Sequence, residues 1–157
     1  MPNTARNLSD ATPELSVENL LEDDHQRIDQ MYQDVLDALI NQKPPMSQHL
    51  LFKLFKSALL RHLHWEETVL FPMYIELSGE QGSVPLLKLQ HEEIMEYLTD
   101  LEQDLPDSLE KRAFQLLGQY LFHHNEFEEK SLYPAFEALG SKELKDKLVL
   151  AISRGFK

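Results

Sequence analysis

The stretch from His62 to Pro72, HLHWEETVLFP, decides the fold, because the chain repeats its pattern from His124 to Pro134 as HNEFEEKSLYP. Each copy has a histidine, three residues, two glutamates, three residues, an aromatic residue and a proline. On a helix, residues four apart lie on one face with their Cβ atoms about 5–6 Å apart. Each copy can therefore aim one imidazole and one carboxylate at a common point, which is the chemistry of a pair of metal ligands.

Each copy is preceded by one more histidine in a similar setting. His25 stands in the sequence DHQRI before the first copy, and His91 stands in QHEEI before the second. The chain therefore consists of two related halves. Each half offers one histidine, followed by a histidine and a glutamate four residues apart.

The composition limits the kinds of site and partner. The 157 residues include no cysteine, which excludes disulfides and thiolate sites, so any metal must be held by nitrogen and oxygen atoms. The formal charge of -12 argues against nucleic acid or a membrane surface as a partner, because lysine and arginine bind both. No apolar run approaches the roughly 18 residues that span a bilayer, and the polar N-terminus is unlike a signal peptide. We therefore expect a cytoplasmic protein.

The hydrophobic pattern has helical periodicity almost throughout, and no segment alternates with period two over the length of a strand. Four long helical segments are joined by short links, which favours antiparallel packing of neighbours. The predicted fold class is all-α, an up-down-up-down antiparallel four-helix bundle with a short C-terminal fifth helix. This single domain covers residues 20–157, and a polar N-terminal arm occupies residues 1–19.

Proline and serine mark the predicted boundaries of these helices. Ser47 is a suitable N-cap for the second helix, and the turn before the fourth helix falls at Pro106-Asp107. The fifth helix is expected to begin at Ser141. The proline that closes each copy of the repeat is expected to kink or end its helix.

Counting residues from each turn estimates the height of each candidate ligand, since a helical residue rises about 1.5 Å. His25 and His62 lie at nearly equal distances from the first turn. Glu66 and His91 do so about the second turn, and His91 and His124 do so approximately about the third. Six candidate metal ligands thus share one layer of the predicted bundle: His25, His62, Glu66, His91, His124 and Glu128.

A single histidine on an apolar stripe is more often a hydrogen-bonded core residue than a ligand. Four histidines and two glutamates in one layer favour a dinuclear metal site instead. Burying unpaired charge costs several kcal/mol per group, and two cations would compensate it. In the fourth helix His123 competes with its neighbour, and the spacing of the repeat favours His124.

Residues that flank the candidate ligands have simpler interpretations. Glu67 and Glu129 are expected to face outward or to orient the ligands. Phe71 and Tyr133 are expected to belong to the core and to the walls of the site, not to its redox chemistry.

Other metal motifs are missing from the chain. A zinc protease requires His-Glu-x-x-His, but His91-Glu92 is followed by Met95 where the second histidine should stand. Ferritin-like proteins require two Glu-x-x-His pairs, and only Glu22 and His25 fit that spacing.

The pattern of four histidines and two glutamates in this layer resembles the hemerythrin-like, or HHE cation-binding, family. The resemblance covers about residues 20–136 and uses the histidines and glutamates above, together with the aromatic-proline end of each copy. It implies a bundle that holds two non-haem iron ions, with manganese possible, bridged by Glu66, Glu128 and an oxo or hydroxo group. The resemblance places two histidines on each iron: His25 and His62 on one, His91 and His124 on the other.

The chain departs from the oxygen-carrying members of that family. Those members place a fifth histidine one turn before the third-helix histidine, and Leu87 stands at that position here. Their last carboxylate is usually an aspartate five residues after its histidine, whereas Glu128 follows His124 by four. The sequence therefore resembles the non-classical branch, which implies open positions on both irons and puts reversible oxygen carriage in doubt.

The expected function is to bind or sense a small diatomic or oxidising molecule, such as oxygen, nitric oxide or peroxide, or to handle iron. The alternative is a di-iron enzyme, for example a peroxidase, an oxidase or an iron-centre repair factor, that uses the same ligands. A third interpretation is a structural or partner-binding bundle that its metal only stabilises. Oxygen uptake that reverses under argon would favour the first interpretation, and multiple turnovers would favour the second. A redox-silent site would favour the third.

Overall fold

The computed structural model describes residues 16–103, 110–139 and 142–155, and these ranges are helical without any strand. The α-helices are α1 (Val17–Ile40), α2 (Pro45–Trp65), α3 (Phe71–Ser78), α4 (Val84–Gln103), α5 (Lys111–Phe127), α6 (Tyr133–Leu139) and α7 (Lys142–Gly155). The first π turn, Glu66–Leu70, joins α2 to α3, and the second π turn, Glu128–Leu132, joins α5 to α6. Each joined pair forms one continuous helix, so the predicted all-α bundle with a short last helix is confirmed.

Helix α1 packs against α2, α5, α6 and α7, while α4 packs against α5. The buried apolar side chains form two clusters, one on each side of the layer that contains the candidate ligands. On α1, Leu21 belongs to one cluster and Ile28 to the other, with His25 between them. On α4, Leu87 and Ile94 flank His91 in the same way. The ligand layer is therefore shielded from water at both ends.

The two π turns bring each glutamate and the aromatic residue five positions later to the same side of the helix. In an α-helix such residues point roughly 140° apart, because each residue turns about 100°. Here the N–H of Phe71 donates to the carbonyl of Glu66, and the N–H of Tyr133 donates to that of Glu128. All four side chains are at most 1% exposed. The repeat thus encodes an inward glutamate and an inward aromatic ring in each half.

Proline does not end either helix. Pro72 lies just after the first π turn, within the continuous helix. The helix continues to Ser78, and the helix that contains Pro134 continues to Leu139. The local change at each proline is the preceding π turn.

Two predicted boundaries shift in the structure. Residues 17–19, assigned to the arm, form the first turn of α1, because the Ser16 hydroxyl accepts the N–H of Asn19 at 2.9 Å. Helix α2 begins at Pro45 and not after Ser47, since the fixed φ of proline suits the first helical position. The predictions for residues 1–15, for Pro106-Asp107 and for Ser141 lie outside the described residues. Among the described helices, none is both long and apolar enough to cross a membrane.

Candidate metal centre

The fold brings all six candidate ligands into one buried layer. They come from both halves: His25 from α1, His62 and Glu66 from α2 and the first π turn, His91 from α4, and His124 and Glu128 from α5 and the second π turn. Each is at most 2% exposed. The convergence expected from residue counting is therefore present.

The six side chains form two groups that share both glutamates. The first group contains His25 and His62, and the second contains His91 and His124; within each group the potential ligand atoms lie within 4.8 Å of one another. Glu66 Oε1 is 3.0 Å from the Nε2 atom of His62 and 3.7 Å from that of His91. Each carboxylate thus stands between the two groups, where a bridging ligand would stand.

Glu128 repeats this arrangement in the other half. Its Oε1 atom is 2.9 Å from the Nε2 atom of His124 and 3.6 Å from that of His25. Each glutamate therefore approaches a histidine of its own helix and one from another helix. The internal repeat of the sequence is matched by an approximate twofold arrangement of the side chains.

The outer nitrogen of one histidine in each group is held by a glutamate of the opposite half. His25 Nδ1 lies 3.0 Å from Glu129 Oε1, and His91 Nδ1 lies 3.0 Å from Glu67 Oε1. The side chains of Glu129 and Glu67 are 34% and 42% exposed, so these carboxylates reach inward from the surface. Of the two roles predicted for Glu67 and Glu129, the contacts support the orienting one.

The other two histidines are held by residues that the sequence analysis did not assign. His62 Nδ1 lies 2.7 Å from Asp24 Oδ2, and His124 Nδ1 lies 2.7 Å from Gln90 Oε1. Asp24 and Gln90 each precede the upstream histidine of their half, so this shared position was an available signal. With all four Nδ1 atoms facing oxygen acceptors, the Nε2 lone pairs are directed into the layer, as in histidines that ligate metals.

Several inward polar atoms make no hydrogen bond of normal geometry, although Glu66 Oε1 and Glu128 Oε1 lie 3.0 and 2.9 Å from a histidine Nε2. They test whether the site fits a cation. These atoms are Glu66 Oε1, both carboxylate oxygens of Glu128, and the Nε2 atoms of His91 and His124. Buried polar groups are normally hydrogen-bonded, and leaving one unpaired costs about 1–3 kcal/mol. Five such atoms facing one another are unfavourable without a cation, but they form a good set of nitrogen and oxygen ligands. The residues therefore fit a metal ion in each group.

Without a cation, the pKa values of the buried glutamates and histidines shift in opposite directions. Burial and the adjacent charge of Glu66 raise the pKa of Glu128 well above its usual value. Burial opposes protonation of His62, but the charge of Glu66 and the hydrogen bond to Asp24 outweigh it and raise the pKa of His62 to about 9. Burial lowers the pKa of His124 to about 3. One carboxylate thus keeps its proton, as expected when two carboxylates face each other with no metal between them.

Tyr133 contributes a polar group that the sequence analysis missed. Its side chain was expected to be part of the core, and its ring is indeed buried. Its hydroxyl, however, donates to Glu66 Oε2 at 2.8 Å and lies 3.1 Å from His25 Nε2. Only the three-dimensional contact identifies this group, because Phe71 has the same place in the other copy of the repeat.

His123, the competitor of His124 in the fourth helix, lies away from the layer. His123 is exposed and contacts the Phe122 ring, whereas its neighbour His124 points inward. His64 is exposed as well. His124, and not His123, therefore faces the layer.

One surface cavity is lined in part by His91, a member of the layer. It has a volume of about 390 Å³ and lies between α2 and α4. Leu60, Leu63 and Met95 give it apolar walls, while Glu67 and His91 line it beside the second group.

Among the comparisons with known proteins, only the comparison with protein families gave a match. No significant match was found among curated proteins or among solved structures. The chain matches the family described as hemerythrin HHE cation binding domain over residues 16–145. That range includes every helix that contributes a candidate ligand to the buried layer, together with the first part of α7. The chain therefore belongs to the hemerythrin HHE cation-binding family of metal-binding proteins.

Proposed function

We propose that the buried layer holds two iron ions, with His25 and His62 on one, His91 and His124 on the other, and Glu66 and Glu128 shared between them. The observation that supports this proposal best is the orientation of the four imidazoles. Every Nδ1 atom faces an oxygen outside the layer, so every Nε2 atom faces inward. Such paired outer contacts are typical of histidine metal ligands.

The kinds of ligand favour iron, with manganese as the alternative. Imidazole and carboxylate suit both metals, and a site with two histidines and carboxylates normally leaves coordination positions open. Glu66 and Glu128 together carry two negative charges when ionised, and two divalent ions would more than neutralise them.

We propose further that the protein binds or senses a small diatomic or oxidising molecule at this centre. Leu87 is fully buried one turn before His91, so an apolar side chain stands where a further histidine ligand would otherwise be expected. The apolar cavity beside His91 supports an approach route for a molecule of that size. When bound, the iron ions would supply the ligand positions and the redox capacity, while the protein would orient them and exclude water.

Anaerobic iron loading of the purified chain tests this function. We expect about two irons per chain, as the two ligand groups imply, and an optical spectrum that changes on addition of azide, nitric oxide or oxygen. A His62→Ala/His124→Ala double variant removes one imidazole from each group and is the control without a complete site. A reproducible single zinc per chain, with no uptake of iron by the metal-free protein, would contradict the proposal. Many turnovers with peroxide would instead favour the enzymatic alternative.

A further inference from the structure

The hydroxyl of Tyr133 lies among the ligand atoms of one group and not merely beside them. Its Oη atom is 2.8 Å from Glu66 Oε2, 3.1 Å from His25 Nε2 and 3.5 Å from His62 Nε2. The Tyr133 side chain is only 1% exposed, so no bulk water competes for this position. The oxygen is therefore enclosed by three of the four ligand residues of the first group.

The distances between these atoms match those between neighbouring ligands of one octahedral ion. Two ligands at bonds of about 2.1 Å and at right angles are separated by roughly 3.0 Å. The Nε2 atoms of His25 and His62 are 3.0 Å apart, and Tyr133 Oη is at nearly the same distance from His25. With the 3.5 Å separation from His62 included, a position exists at which a single cation is at bonding distance from both histidines and from the phenol oxygen.

The other half of the repeat provides the comparison. The ring of Phe71 lies 5.4 Å from that of His91 with an interplanar angle of 31°. The ring of Tyr133 lies 5.6 Å from that of His25 with an angle of 32°. The two rings are therefore placed alike, and the two groups differ here by one hydroxyl.

We propose that Tyr133 is an additional ligand of the metal ion bound by His25 and His62, and that Phe71 leaves the other metal ion without a corresponding ligand. This inference rests on the proposed function. On binding, the O–H bond of Tyr133 is replaced by an O–metal bond and the proton is released to solvent, while Glu66 stays ionised as a shared ligand. The cation itself displaces the proton, so no change of pH or of oxidation state is required.

Ferric loading of the full chain tests the inference directly. Ferric iron bound to a phenolate absorbs visible light by charge transfer, and Raman excitation within that band enhances tyrosine ring vibrations. We expect both signals in the wild type. Tyr133→Phe should lose them while it keeps its iron, because the variant removes only one oxygen. Tyr97→Phe, at a tyrosine that contacts Tyr120 and not the metal centre, should keep both signals.

The second half of the chain offers a gain-of-signal variant. Phe71→Tyr placed in the Tyr133→Phe background should restore the tyrosine signals, now through the group of His91. If they do not return, the two halves differ by more than this hydroxyl and the proposed cause of the asymmetry is wrong.

Two outcomes separate this inference from the proposed function. A wild-type protein that binds two irons but shows no tyrosine signals would overturn the inference and leave the di-iron assignment intact. A protein that takes up no iron would overturn the di-iron assignment and the inference with it. Because the wild-type spectrum alone decides the first case, the test does not depend on the folding of any variant.

Discussion

Substitution of Asp24 tests how the protein sets the orientation of its histidines. Asp24 Oδ2 accepts a hydrogen bond from His62 Nδ1 at 2.7 Å, and both side chains are at most 4% exposed. Burial alone would raise the pKa of Asp24, but the hydrogen bonds from His62 and Arg27 outweigh it and lower that pKa. Asp24→Ala therefore removes an ionised acceptor from a buried imidazole.

The magnitude follows from the burial of this contact. Loss of an outer partner of a ligating histidine lowers metal affinity by about 10–100-fold. That range equals about 1.4–2.7 kcal/mol of binding free energy. Asp24→Asn should have an intermediate affinity, because its amide oxygen can accept from His62 as Gln90 accepts from His124.

Competition with a chelator under anaerobic conditions measures the affinity. The matched control is Asp23→Ala, since Asp23 is the adjacent residue in α1 and its side chain is exposed. Circular dichroism should show that all variants keep their helices. If Asp24→Ala and Asp23→Ala bind iron equally well, the outer hydrogen bond does not orient His62 and the argument fails.

Three further outcomes follow from the same geometry. His124→Ala should abolish binding of at least one metal ion, whereas His123→Ala should retain both, as elemental analysis would show; the reverse result would place the fourth-helix ligand one residue away. Glu66→Gln should weaken metal binding more than Glu67→Gln, because the first loses a shared carboxylate and the second only an outer contact; chelator titration ranks them. Gly118→Ala should lower unfolding stability by about 1–3 kcal/mol, since its new Cβ would overlap the Tyr32 hydroxyl; an unchanged denaturation midpoint would contradict this packing.

Much of the fold could be predicted because the information is local. Helical periodicity and proline punctuation are properties of short segments, so the bundle and its approximate boundaries follow from them. The two π turns could not be derived in this way. Prediction from periodicity assumes about 3.6 residues per turn along the whole helix. A π turn, in which an N–H bonds to the carbonyl five residues earlier, shifts the direction of the side chains at one place only.

The candidate ligands were predictable for a different reason. His62 and Glu66 are four residues apart, so they share one face of their helix. The number of residues between each of them and the turn sets their height in the bundle relative to His25. The outer contacts of Asp24 and Gln90 were less accessible, because each holds a histidine on another helix. Such a contact depends on how two helices are rotated against each other, which no single segment specifies.

The sequence by itself determined an all-α chain with two related halves and six candidate ligands that face one layer. Periodicity and repetition are sufficient for these features, since they depend only on the order of residues along a helix. The tertiary structure alone decided which atoms meet within the layer, and above all that the Tyr133 hydroxyl enters the group of His25 and His62. The repeat makes Tyr133 and Phe71 equivalent in sequence. Their difference matters chemically because the packing of the helices places the Tyr133 hydroxyl within hydrogen-bond distance of Glu66 on another helix.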